Sequence, residues 1–255
     1  MSDPAVLTEV RDGALLVTLN RPEQRNAVNR AVAEGIAAAL DQLDGDPSLR
    51  VGVLTGAGKG FCAGMDLKAF VAGEKPSVEG RGFAGIVQRA SEKPLIAAVE
   101  GFAVAGGFEI ALACDLIVAA RGARFGIPEV KRGLVAAGGA LLRLPQRIPY
   151  HLAMELALTG ELVDAARMAE VGLVNRLVEP GAAVAAACEL AQTVAANGPL
   201  ALAASKRILV EAPSWPAGEQ WTRQAEISDP VRASEDAREG SLAFAEKRAP
   251  RWQGR

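Results

Sequence analysis

Apolar residues fall along this chain in short runs closed by glycine, proline or aspartate, and the runs alternate between strand-like and helix-like spacing. Residues 6–10 and 14–20 flank Asp12-Gly13, a dipeptide suited to a two-residue hairpin, so the chain is predicted to open with two antiparallel strands. Asn29 is placed to cap an amphipathic helix reaching about residue 43, where Asp44-Gly-Asp-Pro47 stops it. Residues 50–55, 94–100 and 115–120 read as strands, the second being a continuous apolar run bounded by Pro94 and Gly101. The first of these leads through Gly56-Ala-Gly58-Lys-Gly60 to a helix beyond Leu67; the second leads through Gly101 to Gly107 into an apolar helix. Strand, glycine-bearing turn and helix thus recur after roughly 45 residues, with slight sequence identity between the two units. Between them, residues 73–93 carry Gly, Lys and Glu with weak periodicity, which predicts a mobile loop and helix able to cover a site. Helical spacing then occupies 138–147, 150–159, 164–171 and 182–196, with a short strand at 173–178 and further helices to residue 247. The Ala-rich segment 182–196 reads as a tightly packed core helix.

The stretch from Gly101 to Asp115 concentrates the chemistry. Gly106 and Gly107 allow the backbone close to a ligand, and the first NH groups of the following helix have no helical acceptor. Glu109 lies in or near that first turn, in an otherwise apolar segment. It can be a helix N-terminal acid favoured by the macrodipole, or an acid or base beside an oxyanion hole; this stretch alone leaves both open.

Composition narrows the class. The chain has 255 residues, enough for one large domain with a sizeable core, and half of them are hydrophobic. A net charge of −2 offers no basic excess for nucleic acid or an anionic membrane. The N-terminal residues show neither a basic region nor an apolar one, and no apolar run approaches the ~20 residues of a membrane span, so a cytoplasmic location is expected. Cys62, Cys114 and Cys188 are scattered and odd in number, which reads as reduced thiols. His151, the single histidine, has no Gly-x-Ser-x-Gly to serve and no ligand partners, so a serine triad or a histidine metal site is not expected.

The glycines at 56–60 do not form a nucleotide site. A P-loop needs four residues before its Gly-Lys and then Ser or Thr, whereas Lys59 is followed by Gly60. A dinucleotide fingerprint needs its glycines to run straight into a helix, and here another glycine turn intervenes.

Taken together, Phe61-Cys-Ala-Gly-Met-Asp66, Pro94 to Glu109, Cys114-Asp115 and Phe125-Gly-Ile-Pro-Glu129 resemble the enoyl-CoA hydratase/isomerase (crotonase) family. Order and spacing agree along nearly the whole chain, through Gly172-Leu-Val-Asn175 to Phe244-Ala-Glu-Lys247-Arg-Ala-Pro250. The resemblance implies an α/β fold in which repeated ββα units wind into a spiral core, residues 1–195, followed by a helical C-terminal trimerisation region, residues 196–255. It implies a homotrimer or dimer of trimers. It also implies that the NH groups of Met65 and Gly106 bind the thioester carbonyl oxygen, and that Glu109 and Glu129 are the two catalytic carboxylates. Ala63, Gly64, Met65, Asp66 and Leu67 match the loop that holds coenzyme A, with Arg25 and Lys247 toward its phosphates. The substrate is then an acyl-CoA thioester, with no metal and no cofactor beyond the CoA that the substrate carries.

Two carboxylates and two NH donors suit hydration of a trans-2-enoyl-CoA: the donors hold charge developing on the carbonyl oxygen, and the carboxyls divide base and acid duties. In the family the Glu109 equivalent activates water and the Glu129 equivalent supplies the α-proton. Departures occur at Ala136-Ala137, where familiar hydratases tend to have Pro-Gly, and at Glu100, where Asn or His is usual. Both positions are expected near the acyl pocket. The tail from Ser234 to Pro250 is similar to that of carnitinyl-CoA dehydratase-type members, so a lyase or isomerase acting on a polar or branched acyl group is the alternative. A non-catalytic acyl-CoA-binding subunit would need neither carboxylate.

Overall fold

The structure, a computed structural model, describes residues 3–89 and 91–255. The opening hairpin forms as expected, β1 (Val6–Arg11) pairing antiparallel with β2 (Ala14–Leu19) across a turn in which Asp12 and Gly13 have φ of 48° and 77°. Two successive positive φ values define the turn that matches strand twist. Helix α1 (Arg30–Gly45) begins where Asn29 accepts a hydrogen bond from the Val32 NH, and it buries Val32, Ile36, Leu40 and Leu43.

Strand β3 (Val51–Gly56) joins β2 in parallel, and the chain then passes through α2 (Leu67–Val71) and the small hairpin of β4 (Ser77–Val78) and β5 (Gly82–Phe83). No helix forms between 73 and 93 among the described residues, contrary to expectation. Gly80, Gly82, Gly85 and even Ala84 take positive φ there, which a helix cannot accommodate; Ala90 lies outside the described residues.

Next come β6 (Leu95–Val99), β7 (Phe102–Val104), α3 (Gly106–Ala113), β8 (Leu116–Ala120) and β9 (Arg124–Gly126). They are followed by α4 (Ala140–Arg147), α5 (Tyr150–Thr159), β10 (Val163–Asp164), α6 (Ala165–Glu170), β11 (Arg176–Val178) and α7 (Ala183–Ala195). The expected strand at 173–178 is thus only three residues long, because Leu173 and Val174 lie in the turn that leaves α6 and donate to the Met168 carbonyl.

The main sheet has the order β1-β2-β3-β6-β8-β11, parallel from β2 onward, and a second sheet has the order β10-β9-β7. This pairing makes the spiral. β6 and β8 are parallel neighbours in one sheet, and the short strands that follow them, β7 and β9, are parallel neighbours in the other. An isolated parallel bridge sets Cys62 beside Ala103, so the turn after β3 joins the same stack. Residues that follow the short strand in each turn, near 64, 106 and 128, therefore arrive side by side.

Burial explains the composition. The inner strands are apolar at almost every position because both faces are covered. On one face α7 lays Ala183, Ala187 and Ala191 against Leu16, Val53, Ile96 and Val118, small side chains allowing close approach. The larger core on the other face is built from α1 and α3, with Phe61, Phe108 and Phe125 fully buried.

The remaining helices, α8 (Pro199–Glu211), α9 (Gln220–Arg232) and α10 (Glu235–Ala245), form a C-terminal helical region. Lys206 of α8 ties it to the sheet through Asp115 at 2.7 Å, whose carboxylate also accepts from the Leu95 NH. Among the described residues, no helix is long and apolar enough to cross a membrane.

Candidate active site

A cavity of about 1100 Å³ opens where the turns of the spiral stack. Its floor is the junction of residues 63–65 with 104–106. Gly64 has φ of 93°, and a Cβ there would lie 2.9 Å from the Gly106 nitrogen and 2.8 Å from the Ala105 Cβ, so only glycine lets the two turns touch. Val28 donates to the Gly64 carbonyl and accepts from the Asp66 NH, the pattern of a parallel bridge, which turns the Met65 NH the other way. Gly106 is the first residue of α3, so its NH has no acceptor in the helix. Among the described residues, neither NH donates to a protein acceptor. Met65 and Gly106 both line the cavity, so two NH groups on touching turns are available to donate to an oxygen bound there.

Glu109 sits one turn into α3, 4% exposed, and lines the same cavity. Its Oε1 accepts from the Ala140 NH at 3.2 Å at the start of α4. Burial raises its pKa, opposed by the NH groups of Ala140 and Gly138 and by the charge of Arg143. Glu129 follows β9 in a short 3₁₀ turn, Pro128–Arg132, and reaches the cavity from the next turn of the spiral. Its Oε2 is buried without a hydrogen-bond partner among the described residues. Burial, with the nearby Glu109 charge adding to it, pushes its pKa up to about 7, against its own backbone NH and Arg132. One carboxyl is thus supplied with donors that favour the anion, while the other is left in surroundings that favour the acid.

Of the other residues singled out from sequence, Arg25, Ala63 and Leu67 line the cavity. Gly64 works by close approach, as described above. Asp66 faces away: its carboxylate caps α2 through the Lys68 and Ala69 NH groups and pairs with Arg21 at 3.0 Å. Lys247 is exposed beyond the end of α10 and does not reach the cavity within this chain. Ala137 lines the cavity, and Glu100 does not. Its carboxylate accepts from the Ala183 NH at 2.9 Å, capping α7 on the opposite face of the sheet, so it shapes the scaffold and not the acyl pocket. The thiols of Cys62 and Cys114 are free and buried, and burial pushes Cys62 up to about 12. His151 is exposed on α5, edge-on to Tyr150.

Several lining residues have no individual signal in the sequence, although the 73–93 segment as a whole is expected to cover a site. Phe83, Val87 and Gln88 from the 73–93 segment, and Arg132, Leu134 and Val135 after Glu129, supply much of the wall. Asn26, 1% exposed, bonds the carbonyls of Ala57 and Gly60 and accepts from the Arg21 NH, fixing the loop that leads to residue 63. Its role depends on contacts across more than 30 residues and has no local spacing to reveal it.

Comparison with known proteins identifies the family. The family model described as enoyl-CoA hydratase/isomerase matches residues 9–255. The crystal structure of enoyl-CoA hydratase EchA1 from Mycobacterium marinum superposes with a TM-score of 0.98 at 59% identity, covering 99% of this chain and 100% of that one. Enoyl-CoA hydratase EchA19 of Mycobacterium tuberculosis is 45% identical over 263 residues, 100% of this chain and 98% of its own length. Carnitinyl-CoA dehydratase of Salmonella typhi is 42% identical over 264 residues, the full length of both.

Proposed function

The chain belongs to the enoyl-CoA hydratase/isomerase family and has its crotonase fold, and from that premise we propose that it reversibly adds water across the double bond of a trans-2-enoyl-CoA. Glu109 is the base, Glu129 the acid, and the Met65 and Gly106 NH groups form the oxyanion hole. The supporting observation is the unequal pair of carboxyls in one cavity, Glu109 held by NH donors and Glu129 with an orphaned oxygen.

The chemistry balances on these groups alone. Glu109 takes a proton from water as the oxygen bonds the β-carbon, and the displaced π electrons move onto the thioester oxygen between the two NH groups. When the carbonyl re-forms, the α-carbon takes the Glu129 proton. The productive state of the pair carries a single proton, and the reverse reaction starts with that proton on the other carboxyl. No metal or redox cofactor enters this scheme; coenzyme A is part of the substrate, and a cytoplasmic setting completes the reading.

Purified protein is expected to consume the conjugated-thioester absorbance of a short or medium enoyl-CoA. Because Glu129 must carry a proton, kcat/KM for hydration should fall as pH rises through about 7, and fall again in acid as Glu109 becomes protonated. Activity that climbs steadily into alkaline pH contradicts Glu129 as the acid. Bound but unconverted CoA thioesters would favour a non-catalytic binding subunit. A polar or branched acyl group is the second reading, favoured by the full-length match to carnitinyl-CoA dehydratase and by Lys75, Glu79 and Arg132 on the cavity wall. The substrate panel should therefore include such thioesters.

We further propose that residues 196–255 are an oligomerisation region that builds a trimer or dimer of trimers. Leu209, Val210, Trp221 and Phe244 are 66–87% exposed in the isolated chain, large apolar side chains that an assembly would cover. In such an assembly Lys247 could face a neighbouring subunit's CoA. Light scattering is expected to give a mass that is a multiple of three chains; a monomer at micromolar concentration excludes this assembly.

A further inference from the structure

The wall behind Glu109 holds a cation that the proposed reaction leaves unused. Arg143, on the first turn of α4, is partly buried and makes no ion pair within 4.0 Å among the described residues. Taking a guanidinium out of water without a carboxylate is costly, so the site must use its donors in another way. Nη1 donates to the Gly138 carbonyl at 3.3 Å and Nη2 to the Val87 carbonyl at 2.5 Å. It thereby joins the turn before α4 to the 73–93 segment across the cavity wall.

That turn is the one that holds Glu109. A Cβ on Gly138 would lie 2.4 Å from Glu109 Oε2, and the Ala140 NH donates to Oε1. Gly139 has φ of 102°, and a Cβ there would lie 2.1 Å from Arg143 Nη1, so the guanidinium occupies the space directly over the turn. Two consecutive glycines make a pliable turn, and an NH donor on a pliable turn is only as well aimed as whatever pins it.

We propose that Arg143 is a positioning residue: it clamps the Gly138-Gly139 turn so that the NH groups at the start of α4 stay aimed at Glu109, and it places a positive charge behind that carboxylate. The proposal rests on the reading of Glu109 as the base. The charged and titratable groups around this point are few. Glu129, with Arg132 beyond it, faces Glu109 from the next turn of the spiral. Arg147, one helical turn beyond Arg143, donates to the Leu112 carbonyl at 2.6 Å and opposes the Arg143 charge, while the buried Cys114 thiol lies nearby. Among these groups Arg143 is the cation that acts on Glu109.

Arg143→Gln and Arg143→Lys test it, each alone and in a Glu109→Gln background, with thermal melts and acyl-CoA binding as checks of folding. Arg143→Gln is expected to leave KM within a few fold and to lower kcat by about 10- to 100-fold, the scale of a displaced catalytic group. The acidic limb of its kcat profile should move up by about one pH unit, a tenfold change in the Glu109 proton equilibrium. Arg143→Lys keeps the charge but not the fork that spans two carbonyls, so its acidic limb should stay near the wild-type position while kcat still falls. In the Glu109→Gln background, Arg143→Gln should cost less than about threefold, because a residue acting through Glu109 has nothing left to position. Full additivity, or an unmoved acidic limb in folded Arg143→Gln, overturns the proposal. If Arg143→Gln does not fold, Arg143→Lys decides: wild-type kcat overturns the clamp, and reduced kcat with an unmoved limb upholds it. Near-normal turnover in Glu109→Gln itself would instead overturn the base assignment, an outcome readily told apart from additivity.

Discussion

Glu109→Gln and Glu129→Gln should each lower kcat by about 10²- to 10⁴-fold while acyl-CoA binding stays close to wild type. Gln keeps the volume and one acceptor oxygen, so Glu109→Gln can still take the hydrogen bond from the Ala140 NH that holds the side chain. What it loses is the ability to accept a proton from water. At position 129 the orphaned Oε2 makes the change milder for folding, since no partner is broken. What is lost there is a proton donor whose pKa of about 7 matches neutral working conditions. In the proposed mechanism the two carboxyls share one proton, so the double variant should cost much less than the product of the singles. Stopped assays and isothermal binding on folded variants separate the effects. Near-normal turnover in both would assign the carboxylates to structure and end this mechanism.

The parts of this site that could be read from sequence are those with a local cause. Asp12-Gly13 specifies its turn by backbone conformation, Asn29 its helix by a side-chain cap, and the apolar run before Gly101 its strand by burial on both faces. Glu109 stood out because a carboxylate in an apolar segment calls for an explanation. The spiral itself needs pairings such as β7 with β9 and Cys62 with Ala103, which join residues without any shared local pattern. Glu100 is expected at the acyl pocket because it departs from the family pattern; its capping partner, Ala183, is 83 residues away and on the other face of the sheet, a contact that no local pattern reveals. Segment 73–93 has the composition of a weak helix, yet its positive φ angles follow from packing. Gly82 abuts Gln88, and Gly85 abuts the Ala33 carbonyl of α1. Arg143 had no signal at all, since its contacts depend on how a turn at 138 meets a loop at 87.

The proposed oxyanion hole carries the other large effect, and the geometry around Gly106 suggests how to probe it. Gly106→Pro removes one NH donor and should lower kcat by about 10²- to 10³-fold, the loss typical of a single donor, equivalent to about 3 kcal/mol. Proline is tolerated by the helix itself at this first position. Two other strains accompany it, however. A Cβ at 106 would lie 2.5 Å from the Phe83 ring, and Ala105 before it has ψ of −130°, outside the range that residues preceding proline prefer. Gly106→Ala suffers the Phe83 collision but keeps the NH, so the ratio of Ala to Pro turnover, in variants with matched thermal melts, cancels the collision and measures the donor together with the strain at Ala105. Gly64→Ala approaches from the other side: it keeps both NH groups yet forces apart the turns that carry them, through a contact of 2.9 Å with the Gly106 nitrogen at a φ of 93°. If spacing of the two donors matters as much as their number, Gly64→Ala should lose turnover on the scale of Gly106→Pro. Equal rates for Gly106→Ala and Gly106→Pro would mean that this NH binds no developing charge, and the oxyanion would have to be held elsewhere in the cavity.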